Sequence, residues 1–396
     1  MKNKMSKLDY CLIFFFIAIS GNPYICYWYL ASLMAFILIV FRFLSSKDGL
    51  KKLINAFENL KWYLIAFLCV FILQLFLCKG TIIKVQINYL MKIASAGLFY
   101  MYYRDNFKLY YLNIMTILAL ISLILYPLVM SGFSFPNIFG SGLGKVNTSL
   151  HSLILYSYNT EFNFDRNAGM FWEPGCYACY LCLVPLLFIN NMKAFVKENK
   201  IKCVILLLTL LTTRSTTGFL VISIILMAAF WKSNKYVGPI LGCIIVFSLI
   251  SSSVVTDKFA KDFATVDFST LGQVSYYDGY NTENRLGTIY FLFPIFLLHP
   301  IIGNGINNEA MFSSMSYVLL EDHIGLGNGF MLYLVQLGLC GVLFYAIKCC
   351  KSWTISIKDR MIMLFSLLLL LQGEPLLLYP LFIGLPFYNF SDISIK

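Results

Sequence analysis

The chain has 396 residues, of which 59% are hydrophobic and only 12% charged, about half the charged share of an average soluble domain. The mean hydropathy of +0.76 agrees, and a water-soluble fold of this length cannot hide so much apolar surface. The composition excludes a cytosolic enzyme and a disordered protein, and it makes the net charge of +11 a matter of membrane orientation, with no nucleic-acid partner.

The expected fold class is an all-α polytopic membrane protein, a single integral membrane domain over residues 1–396. A helix needs about 20 apolar residues to cross the hydrocarbon core. Runs of that kind fall near 9–21, 25–44, 60–78, 82–103, 109–130, 174–190, 201–213, 216–231, 237–255, 327–347, 360–373 and 375–390. About twelve transmembrane helices are therefore expected. Met1 to Lys7 and the first run imitate a signal peptide, but a second hydrophobic stretch follows at once, which favours an uncleaved first span. Lys84 and Lys92 weaken the run at 82–103, Arg214 divides 201–213 from 216–231, and Glu374-Pro375 divides the last two runs. Placing the amino terminus in the cytoplasm and alternating puts most of the 30 basic residues in cytoplasmic segments. Both termini are thus expected to be cytoplasmic.

Two long segments, 131–173 and 256–326, are left on the outer side. They are rich in Gly, Asn, Ser and Tyr and hold all three histidines, His151, His299 and His323. The second contains RLGTIYFLFPIFLLHP, too apolar for a free linker and expected to form a short helix along the membrane surface. Neither an internal repeat nor the matched broken spans of many transporters is visible. The 12 cysteines lie almost all in apolar runs. Cys176, Cys179 and Cys182 share a helical face, but no His accompanies them and thiolates are costly in lipid, so small packing side chains are expected there.

Three arginines stand at the expected outer face, where the positive-inside rule disfavours them: Arg166 in RNAGMFWEPG, Arg214 in TTRSTTG and Arg285 in NTENRLG. A guanidinium holds phosphate by two parallel hydrogen bonds, and three such forks could converge on one pyrophosphate. The alternative is snorkelling, or pairing with Glu173, Glu283 or Glu321. Glu173, just before Pro174, reads equally as a first-turn carboxylate favourable to the helix dipole and as a general base or an orienter of a basic residue. His323, in LEDHIGLGNG, is the imidazole best placed for proton transfer, with an inert loop histidine as the alternative. No Walker loop, no metal-spaced Asp pair and no G-x-S-x-G elbow is present, so no metal or other cofactor is expected.

At these residues a resemblance appears. Arg166, Gly169, Phe171, Glu173 and Pro174 form R-x-x-G-x-F-x-E-P, followed by TTRSTTG before an apolar run. Arg285, His299, Pro300, Gly303 and Gly305 form an R…H-P-x-x-G-x-G stretch, and NGFMLYLVQLGLCGVL carries Asn328, Gly338 and Gly341. In this order, over about 166–345, the motifs resemble the O-antigen polymerase and ligase superfamily of bacterial inner-membrane glycosyltransferases, and Wzy-type polymerases in particular. Ligases of the superfamily carry a His immediately before the Asn, where this chain has Gly327, with His323 four residues earlier.

The resemblance implies a GT-C-like transferase in the bacterial inner membrane with its active site facing the periplasm. The donor would be a chain on undecaprenyl pyrophosphate, and the acceptor a second undecaprenyl-pyrophosphate-linked oligosaccharide repeat unit. Joining them with inversion would release undecaprenyl pyrophosphate. Arg166, Arg214 and Arg285 would hold the pyrophosphate, Glu173 or His323 would act as base or orient the acceptor, and Tyr276, Tyr277, Tyr280 and Asn328 would bind substrate. An interfacial aromatic belt explains the tyrosines equally well. The bilayer is a partner and a chain-length regulator would be a further one. The alternatives are an O-antigen ligase acting on lipid A-core and a lipid-linked oligosaccharide flippase.

Overall fold

The computed structural model describes residues 6–26, 28–136, 150–160, 164–231, 285–307 and 327–390. Most of them are helical: α1 (Lys7–Gly21), α2 (Tyr29–Leu44), α3 (Gly49–Leu77), α4 (Ile83–Met130), α5 (Pro174–Leu187), α6 (Met192–Glu198), α7 (Lys200–Thr213), α8 (Thr216–Trp231), α9 (Arg285–Leu298), α10 (Gly329–Ser352) and α11 (Ile357–Gly373). Arg104, with φ 35° and ψ −118°, breaks α4 into the two halves that the runs at 82–103 and 109–130 anticipate.

Three described helices are long and apolar enough to cross a membrane: α3, the second half of α4 (Asn106–Met130) and α10. A fourth is reached if α5 and its continuation Ile189–Glu198, bent by 58°, count together. This corrects the expectation of about twelve. The apolar runs do coil, but α1, α2, α8 and α11 have 15, 16, 16 and 17 residues, short of the roughly 20 that the hydrocarbon core asks for. The run at 237–255 lies outside the described residues. The membrane character is written on the surface, where Trp62 is 71% exposed, Phe76 82% and Ile124 64%. Water-soluble monomers do not tolerate apolar exposure on this scale.

The expected helix at 375–390 is also corrected. Pro375, Pro380 and Pro386 divide it into a 3₁₀ turn at Leu376–Leu378, one helical turn at Pro380–Ile383 and a second 3₁₀ turn at Leu385–Phe387. Leu376, Leu381, Ile383 and Leu385 are completely buried. Irregular backbone survives in apolar surroundings only when neighbours satisfy it, and side chains of the surrounding helices do so. Tyr89 Oη donates to the Leu377 carbonyl at 3.0 Å, Lys92 Nζ to Leu378 at 3.0 Å and Tyr100 Oη to Leu381 at 2.8 Å. Tyr345 Oη donates to Phe382 at 3.0 Å and Trp353 Nε1 to Leu385 at 3.1 Å, while the Leu381 amide donates to Ser20 Oγ at 2.9 Å. Lys92, which made the run at 82–103 look insecure, has its reason here.

The described residues of the segment 131–173 carry a hairpin. Strands β1 (Leu150–Ser152) and β2 (Ser157–Asn159) pair antiparallel with Leu150 opposite Asn159. Tyr24 Oη and Asn22 Nδ2, at the end of α1, donate to the Leu150 and Ile154 carbonyls. The helix expected to start at Arg285 is present as α9. It packs on α10, with Leu292 and Ile295 buried against Met331, Leu332 and Val335.

The H-P-x-x-G-x-G stretch and the glycines of α10 are two halves of one junction. At Gly338 (φ 64°, ψ −168°) α10 breaks, and the chain after α9 closes the gap. The Leu339 and Cys340 amides donate to the Pro300 and Ile301 carbonyls at 2.9 and 3.0 Å, and the Asn304 amide donates to Val335 at 2.7 Å. No Cβ fits, because at Gly338 it would stand 2.3 Å from the Ile301 carbonyl oxygen. Gly338→Ala is therefore expected to cost about 2 kcal/mol or more. A thermal melt of the detergent-solubilised protein reads this, and an unshifted midpoint would refute the junction.

Candidate functional site

Glu-Pro occurs twice in the chain, at 173–174 and 374–375. A residue before proline is driven into extended backbone. Glu173 (φ −154°, ψ 162°) accordingly sits just before α5, with Pro174 in its first turn, and Glu374 (φ −144°, ψ 146°) just after α11. The two side chains converge over Gly175, where their Oε1 atoms lie 3.0 and 2.9 Å from the position a Cβ would take. The carboxyl groups are in hydrogen-bonding contact. Glu173 is exposed and Glu374 is buried. Trp172 Nε1 donates to Glu374 Oε2 at 3.1 Å.

Burial pushes the Glu374 carboxyl well above its ordinary range. The Glu173 charge and the carboxyl–carboxyl hydrogen bond push the same way, while the Trp172 donor and the Arg285 charge pull it back. Two carboxylates in contact cannot both ionise cheaply, and burial makes Glu374 the member that favours the protonated form.

The structure divides the three expected arginines. Arg166 Nε donates to the Thr213 carbonyl at 3.0 Å and the Asn167 amide to Thr212 at 3.0 Å, which straps the RNAG segment to the end of α7. Burial lowers the Arg166 guanidinium from its usual range, while Glu173, Asp165 and Glu374 hold it up and Arg285 opposes them. It stays charged at any working pH. Arg285 opens α9 with Nη2 3.3 Å from where a Gly373 Cβ would stand. The Thr217 hydroxyl, buried with no hydrogen-bond partner among the described residues, lies 3.8 Å from that same point. Arg166 and Arg285 thus accompany the carboxyl pair.

Arg214 does not. It caps α7 in left-handed backbone (φ 47°) and pairs with Asp165 at 2.5 Å, both side chains more than half exposed. Its partner is none of the three glutamates considered from the sequence. Asn328 is the buried N-cap of α10: its Oδ1 accepts from the Met331 amide at 2.9 Å and its Nδ2 donates to Gln372 Oε1 at 2.7 Å. That ties α10 to α11 beside Glu374, a positioning role in place of the expected substrate contact. His323, Tyr276, Tyr277 and Tyr280 lie outside the described residues.

Glu374 and Trp172 were not singled out from the sequence. The available signal was the repeated Glu-Pro and a lone carboxylate inside LLLLLQGEPLLLYP, an ionisable group in an apolar run. The cysteines of α5 are packing residues. Cys182 Sγ approaches the Gly218 carbonyl at 3.5 Å and Cys179 Sγ that of Leu370 at 3.9 Å. Among the described residues no group of three His, Cys, Asp or Glu could hold a metal ion. Chemically, the site offers an exposed proton acceptor backed by a buried acid, with two guanidinium groups for an anion. A comparison with protein-family models, curated proteins and solved structures returns no match for this chain.

A carboxyl whose pKa is raised by folding contributes stability that is complete below its ordinary value of 4.5 and is lost as pH rises through the folded value. The melting midpoint of the wild type should fall as pH is raised above 4.5. In Glu374→Gln that fall should be absent, since the carboxamide mimics the protonated acid. Parallel pH profiles for the two proteins would refute the preference of Glu374 for its protonated form.

Proposed function

We propose that this chain is a membrane-embedded glycosyltransferase that joins oligosaccharide repeat units carried on undecaprenyl pyrophosphate, as an O-antigen polymerase does. It would sit in the bacterial inner membrane with the carboxyl pair at the periplasmic face. The observation that carries the reading is the Glu173–Glu374 pair flanked by Arg166 and Arg285. The finer topology, with both termini cytoplasmic, belongs to this proposal and draws on the distribution of basic residues.

The chemistry asks for two things, and the residues supply both. An acceptor hydroxyl attacks the anomeric carbon of the donor as the carbon–oxygen bond to pyrophosphate breaks. The bonding electrons leave with undecaprenyl pyrophosphate, and the hydroxyl proton passes to Glu173. Arg166 and Arg285 stabilise the charge that develops on the leaving group. Protonated Glu374 holds Glu173 as the carboxylate that can accept a proton. Ligation to lipid A-core is the weaker reading. The Gly327 amide donates to Thr288 Oγ1 at 2.9 Å, so the position where ligases carry a His serves the packing of α10 on α9.

A surface-polysaccharide gel from cells lacking the gene tests this. Core bearing a single repeat unit, with the ladder gone, supports polymerisation, whereas an intact ladder refutes it. On complementation, Arg166→Ala and Arg285→Ala should each remove the ladder, and Arg→Lys should rescue poorly because a point charge cannot reproduce the fork. Arg214→Ala should change polymer yield by less than about threefold, as expected for an exposed ion pair. Glu173→Gln should lower the rate by about a hundredfold or more, and Glu374→Gln by less, because a carboxamide still donates a hydrogen bond.

A further inference from the structure

At the other end of α1 from Trp172 and Glu173, the first four helices enclose a cavity of about 670 Å³ walled by Arg42, Lys52, Asn55, Asn59, Arg104 and Asn106, among others. Among the described residues one carboxylate faces it, Asp9, and its valences are taken. Arg42 donates to it from Nε at 2.9 Å and from Nη2 at 3.3 Å, and the Tyr103 and Tyr110 hydroxyls donate at 3.0 and 3.3 Å. Subtracting that neutral group leaves Lys52 and Arg104, neither of which has an acidic partner among the described residues. The described lining therefore sums to a net positive charge and includes a wall of carboxamides.

The backbone supplies an independent observation. Arg104 stands at φ 35°, ψ −118° in the hinge of α4, a conformation that strains any side-chain-bearing residue and that glycine would relieve. Its Nε is tied to the Met101 carbonyl at 3.1 Å, and among the described residues its two terminal nitrogens have no hydrogen-bond partner. A strained arginine in the wall of a polar cavity offers an anion two parallel donors.

We propose that this cavity binds a phosphate group, held by the Arg104 fork and Lys52 and flanked by Asn55, Asn59 and Asn106. The proposal is independent of the carboxyl pair and of the polymerase reading. The same phosphate chemistry is offered by the headgroup of an anionic lipid and by a small soluble phosphate. In the proposed topology the site lies at the cytoplasmic end of the bundle, so either source would reach it from the inner leaflet side.

The test uses the full chain, purified in neutral detergent. One arm titrates inorganic phosphate and glycerol 3-phosphate against the melting midpoint. The other reconstitutes the protein in phosphatidylcholine with or without phosphatidylglycerol and counts retained lipid by native mass spectrometry. Stabilisation in the first arm identifies a soluble phosphate, and selective retention of phosphatidylglycerol identifies the headgroup. Lys52→Gln and Arg104→Gln should each weaken binding about tenfold, the loss of one charge-assisted contact, while Lys193→Gln, on α6, should not. Arg104→Gly should weaken binding without lowering the midpoint of the unliganded protein, which a purely structural arginine would not do. Binding in neither arm, or undiminished binding by the Lys52→Gln/Arg104→Gln pair, would overturn the proposal.

Discussion

Backbone polar groups in apolar surroundings must find partners, and the segment 375–390 shows how strongly that demand shapes this protein. Three prolines keep it from satisfying itself as a helix. Its carbonyls are answered one by one by Tyr89, Lys92, Tyr100, Tyr345 and Trp353, and one of its amides by Ser20. These partners come from α1, α4, α10 and the turn after α10, so the broken segment acts as the peg around which those elements are arranged. A lysine in an apolar helix is costly alone. Here its ammonium donates to the Leu378 carbonyl and lies 5.3 Å from the centre of the Tyr379 ring.

The same peg sets the candidate site. Glu374 immediately precedes it, held extended by Pro375, and α10 starts directly against the Glu374 backbone, where a Cβ on Gly329 would come within 2.1 Å of its carbonyl. Glycines at 175, 329 and 373 let four helix ends approach closely enough for two carboxyl groups and two guanidinium groups to share one small volume. The charges nearly balance. Burial favours a protonated Glu374, Arg285 and Trp172 restrain that tendency, and Glu173 stands exposed beside it. A site that must accept a proton and steady an anion needs this combination of exposure and burial.

Helix ends carry the chemistry throughout. Arg214 ends α7, Asn328 caps α10, Arg285 opens α9 and Glu173 precedes α5. At such ends the backbone leaves the helix, so side chains point along the axis and not only sideways. The hinge at Arg104 is an interior version of the same device: the break in α4 falls at a residue that lines the cavity between the first four helices.

The amino-acid sequence by itself determined the membrane character, the helical class and the position of most helices, and it singled out Glu173, Arg166 and Arg285 as candidates. Composition, apolar run length and proline placement are local quantities and can be read locally. Only the tertiary structure decided that Glu374 completes the pair, that Arg214 belongs to Asp165 and that Asn328 is a cap. It also decided that the run at 375–390 is no helix and that three or four described helices, not about twelve, have the length of a span. In each case the deciding partner lies far along the chain: Glu374 is about 200 residues from Glu173 and Arg214 about 50 from Asp165. A run of apolar residues looks the same whether it faces lipid or protein. Which of the two it meets depends on what the rest of the chain brings beside it.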